Sequence, residues 1–183
     1  AIIFNSGTPG NEGVFAGSVY GVVVVDNDGL ILAGDDGVDA ISLYDDVWVY
    51  NHEGVILGGD DGVDAFSGDS WVTIVNEDGV IAGYDTGITA FSGYYSMAEA
   101  GTEIYNSGLI SGGPGSGFTA IFASGGWTLI ENEGVIFGNV VLTDDPVGDV
   151  FDNQGLFLAF GDSFFGGGDD LFHNDGVLAL FDN

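Results

Sequence analysis

The sequence predicts an all-β fold, a parallel β-helix (β-solenoid) of about eight coils forming one domain over residues 1–183. Three observations predict it. An Asn-centred phrase returns eight times, a Gly-centred phrase returns between its copies, and no run carries an apolar helical stripe with caps.

The first phrase is a β-prone run, then Asn, one or two polar residues, Gly and an apolar residue. It reads Asn11-Glu-Gly-Val14, Asn27-Asp-Gly-Leu30, Asn51-His-Glu-Gly-Val55 and Asn76-Glu-Asp-Gly-Val80. It continues as Asn106-Ser-Gly-Leu109, Asn132-Glu-Gly-Val135, Asn153-Gln-Gly-Leu156 and Asn174-Asp-Gly-Val177. The steps between the Asn residues are 16, 24, 25, 30, 26, 21 and 21 residues. The second phrase aligns Gly37-Val-Asp-Ala-Ile41, Gly62-Val-Asp-Ala-Phe66, Gly87-Ile-Thr-Ala-Phe91 and Gly117-Phe-Thr-Ala-Ile121. A third run precedes the Asn: Val47-Trp-Val-Tyr50, Trp71-Val-Thr-Ile-Val75, Trp127-Thr-Leu-Ile130 and Val150-Phe151. Each repeat therefore holds about three short strands parted by Gly, Asn and Asp turns.

Repeating turn phrases favour a solenoid over a sandwich, because each coil lies on its own copy and pairs with it in parallel. Coils ~4.8 Å apart would give a rod roughly 38 Å tall. Asn suits the turn: it tolerates left-handed backbone, and stacked Asn side chains hydrogen-bond along the axis.

Composition narrows the function. The chain has 29 Asp and Glu, two His and no Lys or Arg, for a formal net charge of −29. Nucleic-acid binding relies on Lys and Arg to displace counterions, and P-loop chemistry on a Lys. With 45% hydrophobic residues the chain is too apolar for an acidic disordered tail. There is no Cys, hence no disulfide or thiolate metal site. No apolar stretch reaches the ~18 residues of a membrane span, so no membrane insertion is expected. The chain opens on Ala1 and shows no signal peptide, and is expected to be a mature or excised piece of a longer precursor.

With these phrases in view, residues 5–183 resemble the repetitive passenger regions of bacterial surface adhesins and autotransporters. Near the C-terminus, Gly138-Asn-Val-Val-Leu142 and Gly166-Gly-Gly-Asp-Asp-Leu171 look like calcium-binding RTX-type repeats. The resemblance implies a right-handed parallel β-helix at the cell surface or in the matrix, without one particular activity. The RTX nonapeptide is not iterated here.

Acid columns are the sharpest local feature. Aligning Gly37, Gly62 and Gly87 stacks Asp35 on Asp60 and Asp85, Asp36 on Asp61, and Asp39 on Asp64. Carboxylates roughly 5 Å apart repel by about 0.9 kcal/mol in water and about 3.5 at an effective dielectric near 20. Calcium takes several oxygen ligands, carboxylates and turn carbonyls among them. Calcium is therefore expected at Asp35, Asp36, Asp60, Asp61 and Asp85, and at Asp169 and Asp170. The alternative is a solvated acidic face with Asp serving turn geometry.

Other candidates are weaker. His52 and His173 are expected at the surface, and Trp48, Trp71 and Trp127 to fill the core or cap a rung. Phe157 to Phe165 and Phe172 are expected in the core or an interface. No enzymatic activity is expected. Acid pairs Asp144/Asp145 and Asp169/Asp170 are adjacent in sequence, which turns strand neighbours to opposite faces, and neither His sits in a nucleophile setting.

The ends suggest assembly. The chain begins Ala1-Ile2-Ile3-Phe4-Asn5, read as a run leading into an Asn turn, and closes on Leu178-Ala-Leu180-Phe181 before Asp182 and Asn183. Apolar edges without Pro or Lys are templates for another chain, and head-to-tail contacts generate filaments. The expected function is an extracellular structural subunit stacking into a surface or matrix filament with calcium. The alternative is a stalk or passenger segment of a larger adhesin, and surface glycans are a further expected partner.

Overall fold

In a computed structural model, the backbone of residues 2–5 and residues 11–93, 100–143 and 146–181 are described. The described residues hold 22 strands and no helix. All pairs are parallel, and they form three sheets that wind into one β-solenoid.

The first sheet has eight strands: Ile2–Asn5, Leu30–Ala33, Val55–Gly58, Val80–Gly83, Leu109–Ser111, Val135–Phe137, Leu156–Ala159 and Val177–Leu180. The second has seven: Val14–Ser18, Val38–Ser42, Val63–Ser67, Thr86–Ser92, Thr119–Gly125, Asn139–Leu142 and Phe164–Phe165. The third also has seven: Val23–Asn27, Val47–His52, Val72–Glu77, Gly101–Asn106, Trp127–Asn132, Val150–Asn153 and Leu171–Asn174.

Strand alternation sends every second side chain inward. Like residues then fall into columns, because each coil pairs in register with the next. The first sheet contributes Ile31, Ile56, Ile81, Ile110, Ile136 and Phe157. The second contributes Ala40, Ala65, Ala90, Ala123 and then Leu142. The third contributes Val25, Val49, Ile74, Ile104, Ile130 and Phe151. These side chains are buried and form one continuous core.

One polar column runs beside them. Asn27, Asn51, Asn76, Asn106, Asn132 and Asn153 are buried, and each Nδ2 donates to the Oδ1 of the next Asn. The six distances are 2.7, 2.8, 2.8, 2.7, 2.7 and 2.6 Å, ending on Asn174. The same Nδ2 groups reach turn carbonyls, as Asn76 does to Gly79 at 3.3 Å and Leu109 at 3.1 Å. Each amide of this column is thus paired along the axis, which offsets the cost of burying it.

The Gly after each Asn answers to space. A Cβ on Gly108 would lie 2.1 Å from the carbonyl oxygen of Gly79, and one on Gly155 2.1 Å from that of Gly134. Two turns are a residue longer, Asn51-His-Glu-Gly54 and Asn76-Glu-Asp-Gly79. Each places a non-Gly residue in the left-handed region, Glu53 and Asp78, both at φ 53°.

The structure corrects four expectations. The Asn11 phrase is not a rung: Val14 pairs with Val38, so Asn11-Glu12-Gly13 stands over the Asp35-Asp36-Gly37 corner. Six full turns therefore separate the first and last Asn rungs, rather than the spacing of eight coils. Asn5 pairs with Ala33 inside a first-sheet strand and so does not stand in line with the Asn rungs of the third sheet. None of the three Trp lies in the core. Trp48 is 37% exposed because its neighbours Val47 and Val49 take the inward positions, and Trp71 and Trp127 are half-buried in an edge-to-face pair 6.0 Å apart.

The ladder makes its own prediction. Asn76→Ala leaves Asn51 Nδ2 without its axial acceptor and Asn106 Oδ1 without its axial donor, and is expected to cost about 2–4 kcal/mol, read from urea unfolding by circular dichroism. A loss under about 0.5 kcal/mol would show that the backbone alone sets coil stacking.

Candidate functional site

The acid columns stand at the corner between the first and second sheets. Three coils pass through it as Gly34-Asp35-Asp36-Gly37, Gly59-Asp60-Asp61-Gly62 and Tyr84-Asp85-Thr86-Gly87. The flanking register, Val38 on Val63 on Ile88, stacks them as the sequence alignment predicts. Carbonyls and amides already join the corners: Gly59 and Asp85 donate to Asp35 and Asp60 carbonyls at 2.7 and 2.9 Å.

Two carboxylates serve this stacking. Asp36 Oδ1 accepts the backbone N–H of Asp61 at 3.1 Å, and Asp61 Oδ1 accepts that of Thr86 at 3.0 Å. Asp35, Asp36 and Asp60 each turn a carboxylate oxygen to a common point, the three atoms within 4.8 Å of one another. The trio spans two coils and offers the oxygen-only donor set that a hard divalent cation takes. Asp36 keeps only its second oxygen fully for that purpose.

Burial and crowding hold Asp36, Asp60 and three neighbouring acids above the ordinary carboxylate range. Burial pushes Asp36 up to about 6, and the charges of Asp61, Asp35 and Asp60 add to it, against the Asp61 N–H. Asp60 also stands at about 6, through desolvation, a hydrogen bond with Asp85, and neighbouring charges. Asp64, on the outer side of the second sheet, reaches about 7 through burial and the charges of Asp36, Asp39, Asp61 and Asp60. Asp39 and Asp61 are raised as well, both chiefly by burial.

The structure does not bring the remaining predicted acids to this corner. Asp169 and Asp170 lie exposed between the second and third sheets, where Asp170 Oδ1 accepts the Asp149 N–H at 3.0 Å. Asp144 and Asp145 lie outside the described residues, as do Asp182, Asn183 and the side chains of Ile2, Ile3 and Phe4. His52 sits outside the third sheet, 2.8 Å from Glu77 and 3.8 Å from Asp26. His173 is likewise outside, 3.1 Å from Asp152.

A second feature escaped the sequence reading. An open cleft of about 210 Å³ follows the Asn corner across four coils. Val75, Glu77, Tyr105 and Glu131 line it from the third sheet, and Ser107, Glu133 and Gln154 from the turns. The residue before each Asn faces outward there, a position that strand alternation marks.

No protein-family model, curated protein or solved structure matches this chain.

Linkage gives the acids a sign. Their folded pKa values lie above those of the unfolded chain, so the protonated forms stabilise the fold. That stability is full below about pH 4 and is lost as pH rises through about 6 to 7. The unfolding temperature is expected to fall between pH 5 and pH 8. Asp64→Asn is expected to raise it at pH 8 and to change it little near pH 4. An equal gain at both values would mean that the cost of charging the buried Asp64 is not the cause.

Proposed function

We propose that this chain is an extracellular structural protein, a β-solenoid module whose coils stack head to tail into a surface or matrix filament stabilised by calcium. The observation that carries this reading is the asparagine ladder. All six bonds run in the same direction. Each coil therefore receives the next by identical contacts, and the rod extends by repetition rather than by a special interface.

The last described coil fits that role. Phe172 is 37% exposed, whereas Phe151, its partner one coil earlier, is 1% exposed. Leu178 is 38% exposed over Phe157 at 2%. Leu180 and Phe181 are exposed too. A further coil of the same repeat laid on them would cover them and recover apolar burial at about 25 cal/mol per Å².

Charge is the obstacle to association, and the corner acids supply its remedy. Calcium at Asp35, Asp36 and Asp60, with Asp61 and Asp85 beside it, would relieve repulsion that no basic side chain in the chain can relieve. The surface or matrix setting rests on the resemblance to adhesin passenger repeats and on the absence of Lys, Arg and Cys.

Electron microscopy of the purified chain, with calcium and after chelation, tests this. Uniform fibres with a ~4.8 Å axial repeat are expected, thinning out on chelation. Fibres indifferent to chelation would remove calcium from the reading. Dispersed monomers under both conditions would overturn the filament and leave a stalk segment of a larger surface adhesin.

A further inference from the structure

The cleft along the Asn corner has three properties that together select a ligand. The first is size. At about 210 Å³ it is smaller than the ~300 Å³ at which sites for drug-sized molecules begin, so it takes one compact unit rather than a large ligand.

The second is charge. Glu77, Glu131 and Glu133 stand around it, Glu77 with one oxygen on His52 Nδ1 at 2.8 Å, and the chain contains no Lys or Arg. An anionic ligand would meet only these carboxylates, whereas an ammonium group is drawn to them. The third is a wall that can stack. Tyr105 lines the cleft half-buried, on the outer face of its strand. An aromatic face within ~6 Å of an ammonium adds cation–π attraction. Ser107 and Gln154 add short polar groups at the rim, suited to hydroxyls.

A bare metal ion uses the carboxylates but not the ring, and a lysine side chain uses both but not the polar rim. A charged pyranose uses all of them. We infer that this cleft binds an amino-sugar unit of a cationic polysaccharide, its ammonium among Glu77, Glu131 and Glu133 and its ring against Tyr105. The inference does not depend on filament formation, because every lining residue lies in coils stacked within one chain. Recognition is lateral, so the rod would lie along its polymer rather than meet it at a tip.

The test is titration calorimetry of the intact chain, in chelator and at about 0.15 M salt, where distant charges are screened. A glucosamine trimer is the probe. Its N-acetylated counterpart removes the charge, and trilysine keeps the charge without the ring. Saturable binding of the glucosamine trimer is expected, with the acetylated trimer inert and trilysine at least roughly tenfold weaker. Tyr105→Ala is expected to weaken binding about tenfold and Tyr105→Phe far less, since the ring remains. The pair Glu131→Gln with Glu133→Gln is expected to weaken it by at least about tenfold. All three positions are solvent-facing or half-buried, and circular dichroism checks that each variant keeps its fold. Absent binding, trilysine binding as tightly, or a Tyr105→Ala variant that binds as well as the parent would each overturn the inference.

Discussion

A primary amide buried in an apolar core is tolerable only if it both donates and accepts. At the rung corner an Asn does both along the axis, toward its own copy one coil away. That requirement sets the rest. It fixes the height of each coil to the strand spacing and holds the register of all three sheets. It also excludes a Cβ from the residue that closes the turn, which is why Gly79, Gly108, Gly134 and Gly155 follow their Asn so closely. The apolar columns then follow from alternation, since a register kept at the Asn corner is kept everywhere.

Against that order stands a uniform charge. The chain carries acids alone, and register forces some of them into columns. Where Asp36 and Asp61 face upward, their charge is used: each accepts a backbone N–H from the coil above. Where Asp64 lies half-buried among four other carboxylates, nothing offsets the desolvation, and the group holds its proton to near neutral pH. These acids are thus part brace and part tension, the brace in the corner turns and the tension on the strand that follows.

Much of this was legible in the residues. The rungs could be read because a polar residue at a fixed place in a hydrophobic phrase has one mechanical use in a solenoid. The acid columns followed from Gly37, Gly62 and Gly87. The Asn11 phrase misled because it copies the rung phrase while serving another corner; Val14-Phe-Ala-Gly-Ser18 matches Val38-Asp-Ala-Ile-Ser42 at Val, Ala and Ser, which is the truer alignment. The outward Trp48 was signalled by Val on either side. The cleft was not legible, because it is made by residues 21 to 30 positions apart whose identities do not repeat.

The coils differ in length by up to nine residues, yet the rungs do not slip. Extra chain is taken up at corners, such as residues 112–118 between Ser111 and Thr119. Length is therefore free where side chains face outward and fixed where they face the axis. The molecule is in effect a ruler: whatever its corners carry is presented in single file at one pitch. Weak single contacts along such a file add as linked events at high effective concentration. Grip on a long partner would then depend on the number of graduations engaged rather than on the strength of any one.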